Sequence, residues 1–309
     1  MSRASPTGST RCPRSRRDST PSWARACRRW GTHSAAERLG IPYTFGTFCP
    51  QSLPSPSHAP LLFGGWTHEP GTDNAVLWAK EADRFNAGFL PVLNSCRTSA
   101  GMPEIADVRD HMLTTRPVLA RWPGRDGVLR TGAWIRADER PLDDAEPPVY
   151  FGFGSMRVGP ECSRAAIGAA RELARRAIVL RGWADLSVVD SSADCVAIGE
   201  VNHQALFKRL AAVVHHGGAG TMTTAAKAGT PQVAVPQMFD QFSFADRVQA
   251  LGIGHAHLSK APTAQSLAEA LDHALRPGVV ARAAEVSAEI RTDGAGIAAR
   301  HVLSGISVN

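Results

Sequence analysis

Ala212-Val-Val-His215-His216-Gly217-Gly218-Ala219-Gly220-Thr221, with Pro236-Gln-Met-Phe-Asp240-Gln241 a little further on, decides how the chain is read. Ala211 to Val214 is short, apolar and β-branched, the pattern of a strand buried on both faces of a parallel sheet. Two histidines follow, then glycines and a small residue, then good helix formers from Met222 to Ala228. A strand, a glycine-rich turn and a helix aim main-chain N–H groups and a helix N-terminus at one point. That point favours an anion such as phosphate. The absent side chains of Gly217, Gly218 and Gly220 predict close approach of the anion to the backbone. His215, at the carboxyl end of the strand, is expected to add a charge-assisted hydrogen bond to a phosphate oxygen. Taken alone, such a turn is equally a tight connection between a core strand and a helix. The second segment weighs against that reading. Gln232 to Val235 is another short apolar strand, Pro236 ends it, and Asp240-Gln241 falls in the next strand-to-helix loop. A carboxylate and an amide at one sheet edge offer sugar hydroxyls an acceptor and a donor.

Outward from this centre, residues 149–309 alternate strand and helix, which predicts a parallel α/β sheet. Strands are expected at Val149 to Phe153, Ile178 to Leu180 and Cys195 to Ile198, and a last one at Gly254 to His257. Helices are expected at Ser163 to Arg176, after Glu200 to Gln204 as a short helix to Leu210, at Phe244 to Leu251, Gln265 to Leu275, Val279 to Ile290 and Ala295 to Leu303. Upstream, a helix end at Ala35 to Leu39 leads to a strand at Tyr43 to Thr47 and a Pro/Ser-rich loop from Cys49 to Pro60. Asn74 to Phe89 carries an apolar helical face, and Leu90 to Gly101 reads as a turn. Asp138 to Pro148 is acidic and proline-rich, as a linker is.

His215 to Thr221, Ala228-Gly229-Thr-Pro231 and Pro236 to Gln241 together closely resemble the donor-binding signature of family-1 nucleotide-sugar glycosyltransferases of GT-B fold. The nearest branch is similar to actinobacterial enzymes that glycosylate glycopeptide and macrolide antibiotics, with sterol and glycolipid relatives. The resemblance begins near Ser34 and runs to the C-terminus. It implies two Rossmann-like domains facing a cleft: a partial N-terminal acceptor domain (34–137), a linker (138–148) and a C-terminal nucleotide-sugar domain (149–309).

The resemblance also assigns residues. Ser155 and Arg181 match positions beside the donor phosphates, Val201 the main-chain contact to the base, and His215 the pyrophosphate histidine. Gly217, Ala219, Gly220 and Thr221 match the phosphate turn, and Asp240 and Gln241 the pair on the sugar hydroxyls. His216 reads as structural, and Trp183, His203 and Gln204 as packing or capping residues. The implied reaction is inverting transfer of a hexose or deoxyhexose from a UDP- or dTDP-sugar to a hydroxyl of an apolar acceptor: an antibiotic aglycone, a sterol or a lipid. It requires no metal and no cofactor beyond the nucleotide-sugar co-substrate. The family's general base belongs to an opening strand and glycine-rich turn that residues 1–33 do not supply. The N-terminal domain is therefore expected to be truncated, the base is unassigned, and Asp240 is left an electrostatic role. The rival reading is an inactive donor-binding fragment or partner protein.

Charge and cysteine usage bound the rest. The formal net charge of +6 comes from residues 1–30, which hold eight Arg and one Asp. The remainder offers no electrostatic support for nucleic-acid binding. Residues 1–33, rich in Arg, Ser and Pro, read as a disordered or mistranslated leader; a polyanion-binding arm and a transit-like leader are the alternatives. Six scattered cysteines suit free thiols and a cytoplasmic protein. No apolar run is long enough for a transmembrane helix, which leaves peripheral membrane contact open.

Overall fold

The computed structural model describes residues 30–62, 66–113, 118–120, 128–130, 147–156, 158–182, 186–190 and 192–304. Most of the leader, Thr131 to Trp134, most of the expected linker and Trp183 lie outside them. The chain divides into two compact units. One takes the chain up to Tyr43 and from Ala82 to Thr114; the other takes Thr44 to Glu81 and Thr115 onward. This differs from a division at the linker, because residues 44–81 go with the C-terminal part.

The first unit is helical. Helix α1 (Thr32–Leu39) ends on Gly40, whose φ of 63° is the left-handed conformation that glycine adopts without strain. Trp30 precedes it and lies 4.8 Å from Phe85 and 5.8 Å from Phe89. Residues 30–33 are thus part of the fold, not of a disordered leader. Helix α2 (Asn74–Ser99), which belongs to this unit from Ala82 onward, continues through Pro91, where a turn was expected. An internal proline costs about 3 kcal/mol. The aromatic packing before it and the anchoring of Arg97 after it outweigh that cost. Arg97 is 2% exposed. Its guanidinium donates to the Glu37 carboxylate at 2.7 Å, to Ser34 Oγ at 2.9 Å and to the Pro103 carbonyl at 2.8 Å. Short α3 (Val108–Met112) is capped by the Asp107 carboxylate, which accepts from the Asp110 N–H.

The second unit opens with three short parallel strands, β1 (Gly46–Thr47), β2 (Val118–Ala120) and β3 (Val128–Arg130), paired in that order. The alternating half follows as β4 (Val149–Gly152), α4 (Pro160–Glu172), β5 (Ala177–Leu180), β6 (Cys195–Ile198), α5 (His203–Phe207), β7 (Ala212–His215), α6 (Ala219–Ala228), β8 (Gln232–Ala234), α7 (Gln241–Ala250), β9 (Gly254–Ala256), α8 (Ala264–Ala274), α9 (Pro277–Glu289) and α10 (Gly294–Ser304). Six of these strands form one parallel sheet in the order β6-β5-β4-β7-β8-β9.

The two-residue period of β4 sorts its side chains. Val149 and Phe151 join Phe153, α4 and α8 in one core, while Tyr150 joins Val213, Leu206 and Phe207 on the other face. Each large apolar side chain buried in this way stabilises the fold by roughly 1.5–3 kcal/mol. Strand order reverses between β4 and β7, so a crevice opens at the carboxyl edge between their loops, where ligands of such sheets bind. Among the described residues no helix is long and apolar enough to cross a membrane.

Candidate functional site

The loops after β4 and β7 leave the sheet side by side, because Gly152 pairs in register with His215. After β4, Gly154 takes φ +57° and Ser155 is exposed. Arg181 follows β5 and is exposed; a Cβ on its neighbour Gly182 would stand 3.0 Å from the Gly154 carbonyl oxygen, so these two loops touch. Val201 is half-buried against the Leu206 and Phe207 core. Beside it, Asn202 caps α5 by accepting from the Ala205 N–H at 3.0 Å. His203 lies 2.9 Å from the Tyr150 hydroxyl.

His215 does not present a nitrogen to the crevice. The ring is fully buried, Nδ1 accepts from the Gly217 N–H at 3.0 Å, and Nε2 lies 2.9 Å from Gln232 Oε1. An acceptor at Nδ1 puts the proton on Nε2, where it is donated to Gln232. Burial, then the neighbouring His216, push the pKa of His215 down to about 3. The charge-assisted bond expected of His215 is therefore corrected: the residue is a neutral pin that ties the turn to β8.

His216, read as structural, occupies the open side instead. Its ring lies against Gly154 and Gly218, where added Cβ atoms would come within 3.0 and 2.4 Å of it. Its Nδ1 is buried with no hydrogen-bond partner among the described residues. Burial lowers its pKa, and the Gly152 main chain opposes that shift. The sequence held the signal. A residue inside a strand buried on both faces is itself buried, so the first residue beyond the strand is the one free to face the crevice.

The glycines divide the work differently from the expectation that all three admit an anion. Gly217 has φ +80° and is buried, and its missing Cβ leaves room for the Gln241 carbonyl oxygen, 2.9 Å from the position that Cβ would take. Gly218 makes room for His216. Only Gly220, exposed and with open space before it, leaves the approach clear. No side chain caps α6, so its first-turn N–H groups, at Ala219, Gly220 and Thr221, have no partner within the helix.

In the loop after β8, Gln241 is 7% exposed. Its Oε1 accepts from the N–H groups of Gln237 at 2.8 Å and Met238 at 3.2 Å, and its Nε2 lies 3.6 Å from Met156 Sδ. Its side-chain carbonyl oxygen closes the loop. Asp240 is different. It precedes α7 without capping it, is half-buried, and burial raises the pKa of its carboxyl group. Just before it, Phe239 holds φ +51°, a strained conformation for a bulky residue. The edge thus carries main-chain donors and an imidazole in one loop and a carboxylate in the next, a set suited to a diphosphate joined to a sugar.

Residues 177–299 match the family described as erythromycin biosynthesis protein CIII-like, C-terminal domain. The vancomycin aglycone glucosyltransferase of Amycolatopsis orientalis is 46% identical over 292 residues, which cover 90% of this chain and 72% of that protein. The dTDP-epi-vancosaminyltransferase of the same organism is 39% identical over 274 residues, covering 82% and 65%. Among solved structures, the glycotransferase of kitacinnamycin matches with a TM-score of 0.69 at 16% identity, over 89% of this chain and 73% of that one, a likeness of fold. The chain therefore belongs to the nucleotide-sugar glycosyltransferases of GT-B fold, in the branch that holds the glycopeptide-antibiotic enzymes.

Proposed function

We propose that this chain transfers a hexose or deoxyhexose from a UDP- or dTDP-sugar to a hydroxyl of an antibiotic aglycone, with inversion and without a metal. The observation that carries this reading is the uncapped N-terminus of α6, with His216 just before it and Asp240 in the loop after the neighbouring strand. The names of two relatives, one a glucosyltransferase acting on an aglycone and one a dTDP-sugar transferase, support an aglycone acceptor and a nucleotide-sugar donor.

In this reading the first-turn N–H groups, the Thr221 hydroxyl and His216 hold the diphosphate. Ser155 and Arg181 reach it from the loops beside, Val201 packs on the base, and Asp240 accepts from the sugar hydroxyls. The acceptor oxygen attacks the anomeric carbon opposite the diphosphate, the bond from that carbon to the diphosphate oxygen breaks, and its electron pair leaves with the diphosphate. The acceptor's proton passes to a general base, which we do not assign among the described residues. Charge grows on the leaving group in the transition state, so donors aimed there accelerate the reaction.

The test records melting temperature with UDP, dTDP and ADP, for the wild-type chain and for His216→Ala. It then follows glucosylation of vancomycin aglycone by UDP-glucose and dTDP-glucose using mass spectrometry. Stabilisation by a pyrimidine diphosphate, weakened in the variant, together with product, is the expected result. Stabilisation without product identifies a donor-binding protein that does not turn over. No stabilisation by any nucleotide overturns the site.

A further inference from the structure

The loop after β1 sits beside the N-terminus of α7. Thr47 is buried, and its hydroxyl accepts from the Cys49 N–H at 3.1 Å and lies 3.2 Å from both the Cys49 carbonyl and Ser52 Oγ. This folds Pro50–Ser52 into a single tight helical turn. The Gln51 Nε2 group donates to Ser243 Oγ, in the first turn of α7 and three residues past Asp240. On its other side, Gln51 Oε1 accepts from Cys49 Sγ at 3.5 Å. The thiol is 5% exposed, and burial, then the Asp240 charge, push its pKa up to about 11. It therefore keeps the proton that this bond needs. That bond orients the amide, so its NH2 faces Ser243.

We infer that the loop from Thr47 to Leu53 is a wall of the sugar subsite, with Gln51 and Cys49 positioning Asp240. The inference rests on the reading of Asp240 as the sugar-hydroxyl acceptor. The carboxylate is not held by a capping bond of its own, and the residue before it is strained. Its aim depends on what braces the first turn of α7. Gln241 braces that turn from inside, and Gln51 braces it from outside. The bonds of this strap join Cys49, Gln51 and Ser243 and do not reach α6, so the strap is expected to act on the sugar rather than on the diphosphate.

The test is calorimetric binding of UDP and UDP-glucose, and of dTDP and dTDP-glucose, to the full chain. The readout is the ratio of sugar-nucleotide to nucleotide affinity. Gln51→Ala and Ser243→Ala are each expected to lower that ratio about fivefold, the value of one neutral hydrogen bond, with nucleotide affinity unchanged. The double variant should lose no more than either single one, because both remove the same bond. Gln51→Glu should lose more, since it removes the donor and adds a charge near Asp240. Cys49→Ser should restore what Cys49→Ala loses. A wild-type ratio in both Gln51→Ala and Ser243→Ala overturns the inference. Failure of the wild-type chain to bind UDP or dTDP overturns the donor reading beneath it, an outcome distinct from retained nucleotide binding with an unchanged ratio.

Discussion

The turn after β7 and the loop after β8 sit on neighbouring strands and are built on opposite plans. The first offers main-chain N–H groups, which only proline removes, and several of its residues hold the turn in shape: His215 pins it to Gln232, and Gly217 and Gly218 vacate space for neighbours. The second offers one side chain, Asp240, directly after the strained Phe239, while Gln241 closes the loop behind it. In the proposed reading the diphosphate meets backbone donors with several side chains beside them, whereas the sugar meets one carboxylate and whatever braces it.

The strongest challenge to this contrast is Gly217→Ala. At φ +80° and 2.9 Å from the Gln241 carbonyl oxygen, the methyl group should cost about 3 kcal/mol of stability. It should also disturb both loops, so nucleotide and sugar-nucleotide binding fall together in calorimetry. If only one falls, the loops do not share this contact.

Acid is expected to act next. His215 titrates near 3 when folded and near its ordinary value of about 6.5 when unfolded. Between those values the unfolded chain binds the extra proton, so stability falls as pH drops through this window. The loss at pH 5 relative to neutrality should be about 2 kcal/mol. Urea titrations at pH 7 and pH 5 measure it, and in His215→Gln this part of the slope should vanish.

A smaller effect separates the two plans. Asp240→Asn keeps the shape and removes the charge. It should raise KM for the sugar nucleotide about tenfold while the inhibition constant of UDP stays put, about 1.4 kcal/mol confined to the sugar. A parallel rise in both constants would mean that Asp240 serves the diphosphate. The least effect on folding is expected for Gly220→Ala, where nothing lies within 4 Å of the added carbon. Alanine should stabilise α6 by about 0.5 kcal/mol, yet the methyl group faces the approach to the N–H groups. Melting temperature should rise slightly while the shift produced by UDP shrinks.

Much of this architecture is legible in the sequence, for a physical reason. Strands buried on both faces must be short apolar runs, and Val149 to Phe153, Ala211 to Val214 and Gln232 to Val235 carry that mark. The site's location follows from two such runs ending in a glycine turn and a polar loop. The division of labour among adjacent residues is not legible. Which of two neighbouring histidines is buried depends on the pairing of His215 with Gly152 and on Gln232, a partner one strand away. The passage of α2 through Pro91 depends on Trp30, more than fifty residues earlier. The bond from Gln51 to Ser243 joins residues 192 apart, beyond the reach of any local pattern.

The close approach at Gly217 also sets what an engineer can change. Since the Gln241 backbone fills the space its side chain would take, Gly217 and Gln241 form one mechanical joint, and a donor-switching library should leave both untouched. Met238 is tied to that joint through its backbone alone, and the Met238 and Phe239 residues are 41% and 50% exposed. If the proposed donor site holds, diversifying Met238, Phe239 and Asp240 is expected to change the sugar accepted while nucleotide binding is kept.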